Sequence, residues 1–102
     1  MPFVKFWNLS PDTEDESTLN MYVYGEIKSS RSFFGGSDNV VTSKFVEDLQ
    51  QYPGVETINV YINSPGGSVY AAAAIRNQLR KHRAVVHTWC DGICASAAVG
   101  IL

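Results

Sequence analysis

The feature that most constrains the fold is a tight, glycine-rich turn between a strand-like segment and a helix-like segment. Residues 56–63 (ETINVYIN) are rich in β-branched and aromatic residues, which favours a strand. Residues 64–68 (SPGGS) form the turn, and residues 69–82 (VYAAAAIRNQLRKH) then show the apolar periodicity of a helix. A strand that passes directly into a helix is typical of a βαβ unit, so the chain is predicted to form an α/β fold.

The same alternation continues on both sides of this unit. Residues 18–27 are predicted to form a strand, residues 42–51 a helix and residues 84–89 another strand. Residues 90–93 (CDGI) are predicted to turn the chain, and the apolar segment that follows begins a third helix. Strands that alternate with helices in this way predict a parallel sheet with right-handed crossovers.

Apolar residues mark the predicted core. Those in the first strand lie on both of its faces, which predicts a strand buried on both sides. Those in the helices recur with a helical period and form one stripe on each helix. The predicted core residues are Leu19, Met21, Tyr22, Val23 and Tyr24 in the first strand, Val41, Phe45, Val46 and Leu49 in the first helix, and Val69, Ala72, Ile75 and Leu79 in the second.

Two segments lie outside this pattern. Residues 1–17 are predicted to form a flexible N-terminal arm, in which residues 10–17 (SPDTEDES) are a solvated acidic linker. Residues 28–39 are a loop by composition. Phe33 and Phe34 are unusual in such a loop, and we expect them to pack against this subunit or a neighbouring one.

Composition excludes several classes of function. The chain has 102 residues and a net charge of −2, so it carries no basic patch for nucleic acid. No apolar run is long enough to span a membrane, and the N-terminus lacks a secretory signal, so a cytoplasmic location is predicted. Cys90 and Cys94 do not have the spacing of a C-x-x-C motif, and we interpret them as two buried, reduced thiols with no metal.

Two turns follow the carboxyl ends of predicted parallel strands, where active sites of open α/β sheets collect. In the first, Gly66 and Gly67 let backbone amides approach a ligand, which suits an oxyanion hole but equally a plain strand-to-helix turn. In the second, Ser96 lies among small residues near a helix start, so it is either a nucleophile or a helix N-cap. If Ser96 is a nucleophile, the Ala97 amide could be a second oxyanion donor.

Taken together, the two turns resemble a known family. The string INSPGGSVYAAAAIRNQL, followed by a β-branched strand and DGICASAAVGIL, is similar to the proteolytic subunit of the Clp protease. That family shows N-S-P-G-G, a helix with small residues, and G-x-x-A-S with the nucleophilic serine. The resemblance covers roughly residues 19–102 and implies a truncated ClpP/crotonase-like spiral of parallel strands and crossover helices. Residues 18–102 would then be the N-terminal part of a ClpP-like serine peptidase domain.

The segment FFGGSDNVVTSKFVEDL is more similar to the phage-encoded branch of head maturation proteases. In either branch, the resemblance implies a serine endopeptidase in which Ser96 is the nucleophile of a Ser-His-Asp triad. Gly67 and Ala97 would supply the oxyanion-hole amides, and Gly66 and Ser68 would contact substrate. In the family the histidine and aspartate follow the serine. Only six residues follow Ser96 here, so we expect a fragment with negligible peptidase activity of its own.

Other residues of this chain are not expected to replace the missing partners. His82 ends a helix whose start faces the site, and His87 lies within a strand. Asp91 is expected to have a structural role in its turn. Cys94 is a remote alternative nucleophile, because a cysteine also needs a base or a lowered pKa.

The resemblance implies polypeptide substrates, bound extended beside Gly66 and Gly67, and no cofactor. It also implies homo-oligomeric rings, with an ATPase unfoldase as partner in the housekeeping branch or capsid proteins as substrates in the phage branch. Two alternatives remain open at this point. One is a non-catalytic assembly or scaffold module, and the other is a crotonase-type enzyme or a signal-peptide-peptidase-type enzyme with a lysine base.

Overall fold

The computed structural model describes residues 6–27, 39–95 and 97–101, without the side chains of residues 39–41 and 97. The strands are β1 (Trp7–Pro11), β2 (Thr18–Tyr24), β3 (Thr57–Ser64) and β4 (Val85–Cys94). The helices are α1 (Asn39–Leu49), α2 (Val69–Lys81) and α3 (Ala97–Ile101). Phe33 and Phe34 lie outside the described residues.

The strands form one sheet in the order β1-β2-β3-β4. β2, β3 and β4 are parallel to one another, with α1 between β2 and β3 in the chain and α2 between β3 and β4. The prediction of an α/β fold with a parallel sheet is therefore confirmed. β1 pairs antiparallel with β2 at the edge of the sheet, and the sequence analysis did not predict this strand.

β1 corrects the prediction of a flexible arm over residues 1–17, which is wrong for residues 6–17. Trp7 is only 3% exposed, and its ring packs edge-to-face against Phe6 and Phe45. The Trp7 indole N–H donates a hydrogen bond of 2.8 Å to the Asp48 carboxylate in α1. Two buried aromatic rings supply enough apolar surface to hold this segment on the sheet, although its neighbours are strongly polar.

The acidic segment after β1 is an ordered turn rather than a solvated linker. The Asp12 carboxylate accepts hydrogen bonds from two backbone N–H groups, at 3.0 and 3.1 Å, and from the Asn20 amide at 3.1 Å. The Asp15 carboxylate accepts from the hydroxyls of Ser17 at 2.6 Å and Thr18 at 3.0 Å. Carboxylates that satisfy backbone donors in this way form Asx-turns, which composition alone does not distinguish from a linker.

The core lies on one face of the sheet only. The residues of β2 and β3 alternate between buried positions on the helix side and more exposed positions on the other side. Two-sided burial of β2 is therefore wrong: Tyr24 is 47% exposed, and Tyr22 stacks on Tyr61 with ring centroids 5.4 Å apart. No element of the described chain covers this aromatic face. The buried strand residues are Leu19, Met21, Val23, Ile58, Val60 and Ile62.

The helices cover the buried face largely as predicted. Val69, the first residue of α2, is an exception at 68% exposure, and Val46 is only half-buried. The side chain of Val41 lies outside the described part. In the described ranges, no helix is both long enough and apolar enough to cross a bilayer. The predicted helix residues that are buried are Phe45, Leu49, Ala72, Ile75 and Leu79.

β4 is longer than predicted and irregular. It runs to Cys94, so residues 90–93, which were predicted to turn the chain, belong to the strand. The ladder with β3 is regular as far as the pair Ile62 and Cys90, and then resumes at the pair Ser64 and Cys94. Residues 91–93 therefore form a bulge, in which glycine and asparagine contacts replace regular pairing.

Candidate functional site

The two turns predicted from the sequence lie side by side at the carboxyl edge of the sheet. We call residues 63–68 and 92–95 together the strand-end site. The Ala95 N–H donates a hydrogen bond of 3.1 Å to the Ser64 carbonyl, which joins the second turn to the first. The prediction that these turns meet is therefore confirmed by the backbone.

Ser64 builds the first turn from inside. Its side chain is fully buried, and its hydroxyl accepts a hydrogen bond of 3.1 Å from the Gly66 N–H. No role of its own was predicted for Ser64 from the sequence. A serine followed by proline and glycine at a strand end is typical of a turn in which the hydroxyl bonds the backbone two residues on, and this signal could have identified it.

Gly67 is required by the close approach of another segment. Its φ is +141°, and a Cβ added there would lie 2.1 Å from the carbonyl oxygen of Ile27. Ile27 forms hydrogen bonds with the residues on both sides of Gly67. Its N–H donates to the Gly66 carbonyl, and its carbonyl accepts from the Ser68 N–H, each at 2.8 Å. The Gly67 N–H itself has no acceptor among the described residues, so it is a donor available to a ligand.

The neighbours of Gly67 are already engaged. Gly66 is buried, its N–H donates to the Ser64 hydroxyl, and its carbonyl accepts from the Ile27 N–H. Ser68 is the N-cap of α2, and its hydroxyl accepts a hydrogen bond of 3.1 Å from the Ala71 N–H. Their contact with substrate stays a prediction, and the structure leaves Gly67 with the freest backbone donor of the three.

Asn63 links the two turns through its side chain. Its amide oxygen accepts a hydrogen bond of 3.0 Å from the Ile93 N–H, and a Cβ on Gly92 would lie 2.7 Å from the same oxygen. The Asn63 carbonyl also accepts a hydrogen bond of 3.0 Å from the Gly25 N–H at the end of β2. One residue thus fixes the ends of three strands, a role that the sequence analysis missed because its partners lie far apart in the chain.

Ser96 lies outside the described residues, but the backbone on both sides of it is placed. Ala95 is tied to Ser64, and its carbonyl accepts a hydrogen bond of 3.1 Å from the Ala98 N–H. α3 begins at Ala97. Backbone N–H groups in the first turn of a helix lack intrahelical acceptors. Ala95, the residue before Ser96, therefore lies beside the first turn. The roles of Ser96, Gly67 and Ala97 stay predictions.

Neither His82 nor His87 belongs to the strand-end site, and Asp91 lies in the bulge of β4. His82 is the C-cap of α2, at the far end of that helix from the strand-end site, and its Nδ1 accepts a hydrogen bond of 3.0 Å from the Ala84 N–H. His87 is in the regular part of β4 and is exposed. Asp91 accepts a short hydrogen bond from the Tyr24 hydroxyl, which raises the pKa of Tyr24.

The two cysteines differ in their surroundings. Cys90 is exposed and Cys94 is half-buried, so the interpretation of two buried thiols is wrong for Cys90, which lies on the edge strand. Burial, and then the neighbouring Cys90 thiol, raises the pKa of Cys94 to about 11. A thiol that stays protonated is a poor nucleophile, which argues against Cys94 as the attacking group. The described residues contain no cluster of three or more metal-ligating side chains.

Comparison with known proteins agrees with this geometry. The family model described as Clp protease matches residues 17–102. The chain belongs to the Clp protease family. The resemblance inferred from the two turns is therefore confirmed at the level of the family, whereas the phage-encoded branch stays a prediction.

Individual members of the Clp protease family show the same extent of similarity. The ATP-dependent Clp protease proteolytic subunit of Porphyromonas gingivalis is 33% identical over 103 residues, which cover 92% of this chain and 46% of that protein. Proteolytic subunit 4 of Rhodococcus jostii is 34% identical over 86 residues, 78% of this chain and 44% of that protein. ClpP1 from Listeria monocytogenes superimposes with a TM-score of 0.57 and 25% identity, over 83% of this chain and 44% of that one. The chain spans just under half the length of these relatives.

Proposed function

We propose that this chain is part of a serine-type endopeptidase that hydrolyses polypeptides, with Ser96 as the nucleophile. The observation that carries the proposal is a backbone hydrogen bond: the N–H of Ala95, the residue before Ser96, bonds the Ser64 carbonyl in the turn whose Gly67 N–H has no acceptor among the described residues. The proposed histidine and aspartate come from the part of the family's length that this chain does not span.

The proposed chemistry follows from these positions. The Ser96 hydroxyl attacks the carbonyl carbon of a peptide bond while the histidine takes its proton. The negative charge that develops on the carbonyl oxygen accepts hydrogen bonds from the N–H groups of Gly67 and Ala97. The C–N bond then breaks as the histidine returns the proton to the leaving amine, and water releases the acyl group from Ser96 by the same steps.

The hydrogen bonds of the first turn limit which of its backbone groups can contact substrate. An extended polypeptide needs free backbone groups at the edge where it pairs. Gly66 gives its N–H to the Ser64 hydroxyl and its carbonyl accepts from Ile27, and Ser68 gives its N–H to Ile27, so neither residue is proposed to supply a free main-chain donor to substrate. The 102 residues alone are proposed to be inactive, because His82 and His87 lie away from the strand-end site.

Labelling with a fluorophosphonate tests this function. The probe would be added to this chain and to a longer form that includes the sequence following Leu102, with the Ser96→Ala variant of each as the control. We expect labelling of the longer form only, on Ser96, as read by intact mass and peptide mapping. Labelling of neither form would contradict the peptidase proposal and favour a non-catalytic assembly module. Equal labelling of both forms would show that this chain contains a base of its own.

Partners and location follow from the same proposal. We propose homo-oligomeric rings, an ATPase unfoldase as partner and a cytoplasmic location; the relatives are named proteolytic subunits of an ATP-dependent protease, which supports the ATPase partner. Large exposed side chains such as Tyr24, Tyr70 and Trp89 offer apolar surface for contacts between subunits. Sedimentation velocity of the longer form is expected to show a ring-sized particle. A monomer that degrades polypeptides without ATP would contradict this arrangement.

A further inference from the structure

The bulge in β4 brings two cysteines together. Cys90 pairs with Ile62 and Cys94 pairs with Ser64, so four steps along β4 match two steps along β3. Two steps along a strand span about 6.6 Å, whereas four steps of a regular strand would span about 13 Å. The Cα atoms of Cys90 and Cys94 are therefore held at about the upper end of the 4.4–6.8 Å range that natural disulfides bridge.

The two sulfur atoms also point into the same space. The Cys94 thiol donates to the carbonyl of Ile62 at 3.6 Å, and Ile62 is the residue that faces Cys90 across the ladder. The Cys90 thiol donates to the carbonyl of Gly92 at 3.8 Å, inside the bulge and towards Cys94. The effect of the Cys90 thiol on the pKa of Cys94 agrees with this proximity.

We propose that Cys90 and Cys94 are a reversible dithiol–disulfide pair that closes the bulge of β4. The oxidant is a low-molecular-weight disulfide of the glutathione class. Exposed Cys90 is the first to react: its thiolate attacks one sulfur of the oxidant, the S–S bond of the oxidant breaks, and one thiolate leaves. Cys94 then loses its proton to solvent and attacks the Cys90 sulfur, and the second thiolate leaves. The protein gives up two protons and two electrons, which the two released thiols carry.

The order of the two steps follows from exposure and acidity. Thiolate is the reacting species in thiol–disulfide exchange. Cys94 is half-buried and burial raises its pKa to about 11, so its thiol stays protonated near neutral pH. Once Cys90 is in a mixed disulfide, its own charge no longer opposes ionisation of Cys94. Formation of the disulfide needs no peptidase activity. Its test is therefore independent of the proposed function.

Equilibration in mixtures of oxidised and reduced glutathione tests the pair. Residues 84–102 contain both cysteines and no lysine or arginine, so trypsin releases them together after free thiols are alkylated. We expect this peptide to be unalkylated and lighter by two hydrogen atoms. Because the bulge holds the thiols close, the equilibrium constant for disulfide formation should be at least about tenfold higher in the folded chain than in concentrated guanidinium chloride. An equal constant in both states, or a stable glutathione adduct on Cys90 of the wild type, would overturn the proposal.

Two conservative variants test the order of reaction. Cys94→Ser should stop at a glutathione adduct on Cys90. Cys90→Ser should form its adduct on Cys94 at least about tenfold more slowly, because the remaining thiol is half-buried and protonated. Equal rates for the two variants would overturn the assignment of Cys90 as the attacking thiol.

Discussion

At the scale of single residues, the strand-end site depends on backbone groups more than on side-chain chemistry. Ser64 and Asn63 use their side-chain oxygens to hold backbone N–H groups of the two turns, at 3.1 and 3.0 Å. The residues on either side of Gly67 are hydrogen-bonded to the N–H and the carbonyl of Ile27. The motif was visible in the sequence, but the reason for its second glycine is Ile27, forty residues away, which no local pattern indicates.

Gly67→Ala is expected to destabilise the chain by about 2–4 kcal/mol, because a backbone carbonyl lies where the methyl group would go and cannot rotate away. The matched control is Gly54→Ala, where an added Cβ meets nothing within 4 Å, and it should change the free energy of unfolding by less than about 0.5 kcal/mol. Urea denaturation of both variants is the measurement. Equal midpoints for the two would show that Ile27 does not pack on Gly67.

At the scale of elements, polar side chains fix where each segment begins and ends. Ser68 caps α2 with an extended backbone, φ −70° and ψ 121°, and Arg80 and Lys81 occupy the last turn, where the helix dipole favours positive charge. The basic end of α2 was predicted from the sequence. The ordered turn between β1 and β2 was not, because a run of acidic residues has the same composition whether it is solvated or caps a turn.

Ser68→Ala is expected to lower the free energy of unfolding by about 1 kcal/mol, because the Ala71 N–H loses its acceptor. Ser68→Asp should retain the stability, since a carboxylate accepts the same hydrogen bond and favours a helix N-terminus. Ser43→Ala, at an exposed position within α1, is the control and should be neutral within about 0.5 kcal/mol. Urea denaturation compares the three variants, and a loss for Ser68→Asp equal to that for Ser68→Ala would contradict the capping role.

The turn between β1 and β2 should open in acid. The hydrogen bond from Asn20 lowers the pKa of Asp12, and that from the Ser17 hydroxyl lowers the pKa of Asp15, both from an ordinary value near 3.8. Groups with a lowered pKa in the folded state contribute stability above the ordinary pKa, and this is lost as the pH falls through the lower, folded pKa. Proton exchange and chemical shifts of the Glu14 amide, which donates to Asp12, and of the Ser17 amide, which donates to Asp15, should therefore report opening below pH 3.8 when followed by NMR.

The control for the acid transition is the pair of variants Asp12→Asn and Asp15→Asn. Each removes one carboxylate, so each should weaken the pH dependence of these amide signals. Carboxyl titrations with midpoints at or above the ordinary value would show that the turn does not favour the charged form.

At the scale of the whole molecule, one apolar core joins the parallel sheet, the helices and β1. Phe6 and Trp7 belong to the same buried cluster as Phe45 of α1 and the core residues of β2. β1 thus closes the core from the antiparallel edge, whereas the aromatic face on the other side of the sheet carries Tyr24 and Trp89 at 47% and 54% exposure. The N-terminal strand is therefore expected to matter for the stability of the entire fold.

Trp7→Ala is expected to cost about 3–5 kcal/mol, enough to unfold a marginally stable chain, because it empties a core position and leaves Asp48 without its indole donor. Trp7→Phe, which keeps a ring but loses the hydrogen bond, should cost less and remain folded. Trp89→Ala, at an exposed site, should cost less than about 1 kcal/mol. Circular dichroism in urea distinguishes these variants. A Trp7→Ala chain as stable as Trp89→Ala would restore the flexible-arm interpretation for residues 6–17.

The sequence by itself determined the order of β2, α1, β3, α2 and β4, the parallel sheet, the glycine-rich turn before α2 and the family, because propensity, periodicity and turn chemistry are encoded within short segments. Only the tertiary structure decided that β1 joins the sheet, that β4 bulges so that Cys90 and Cys94 approach, and that Asn63 ties three strand ends together. Those features depend on pairing and burial between segments far apart in the chain. The register of the strands is set by the core as a whole, so no local sequence pattern contains it.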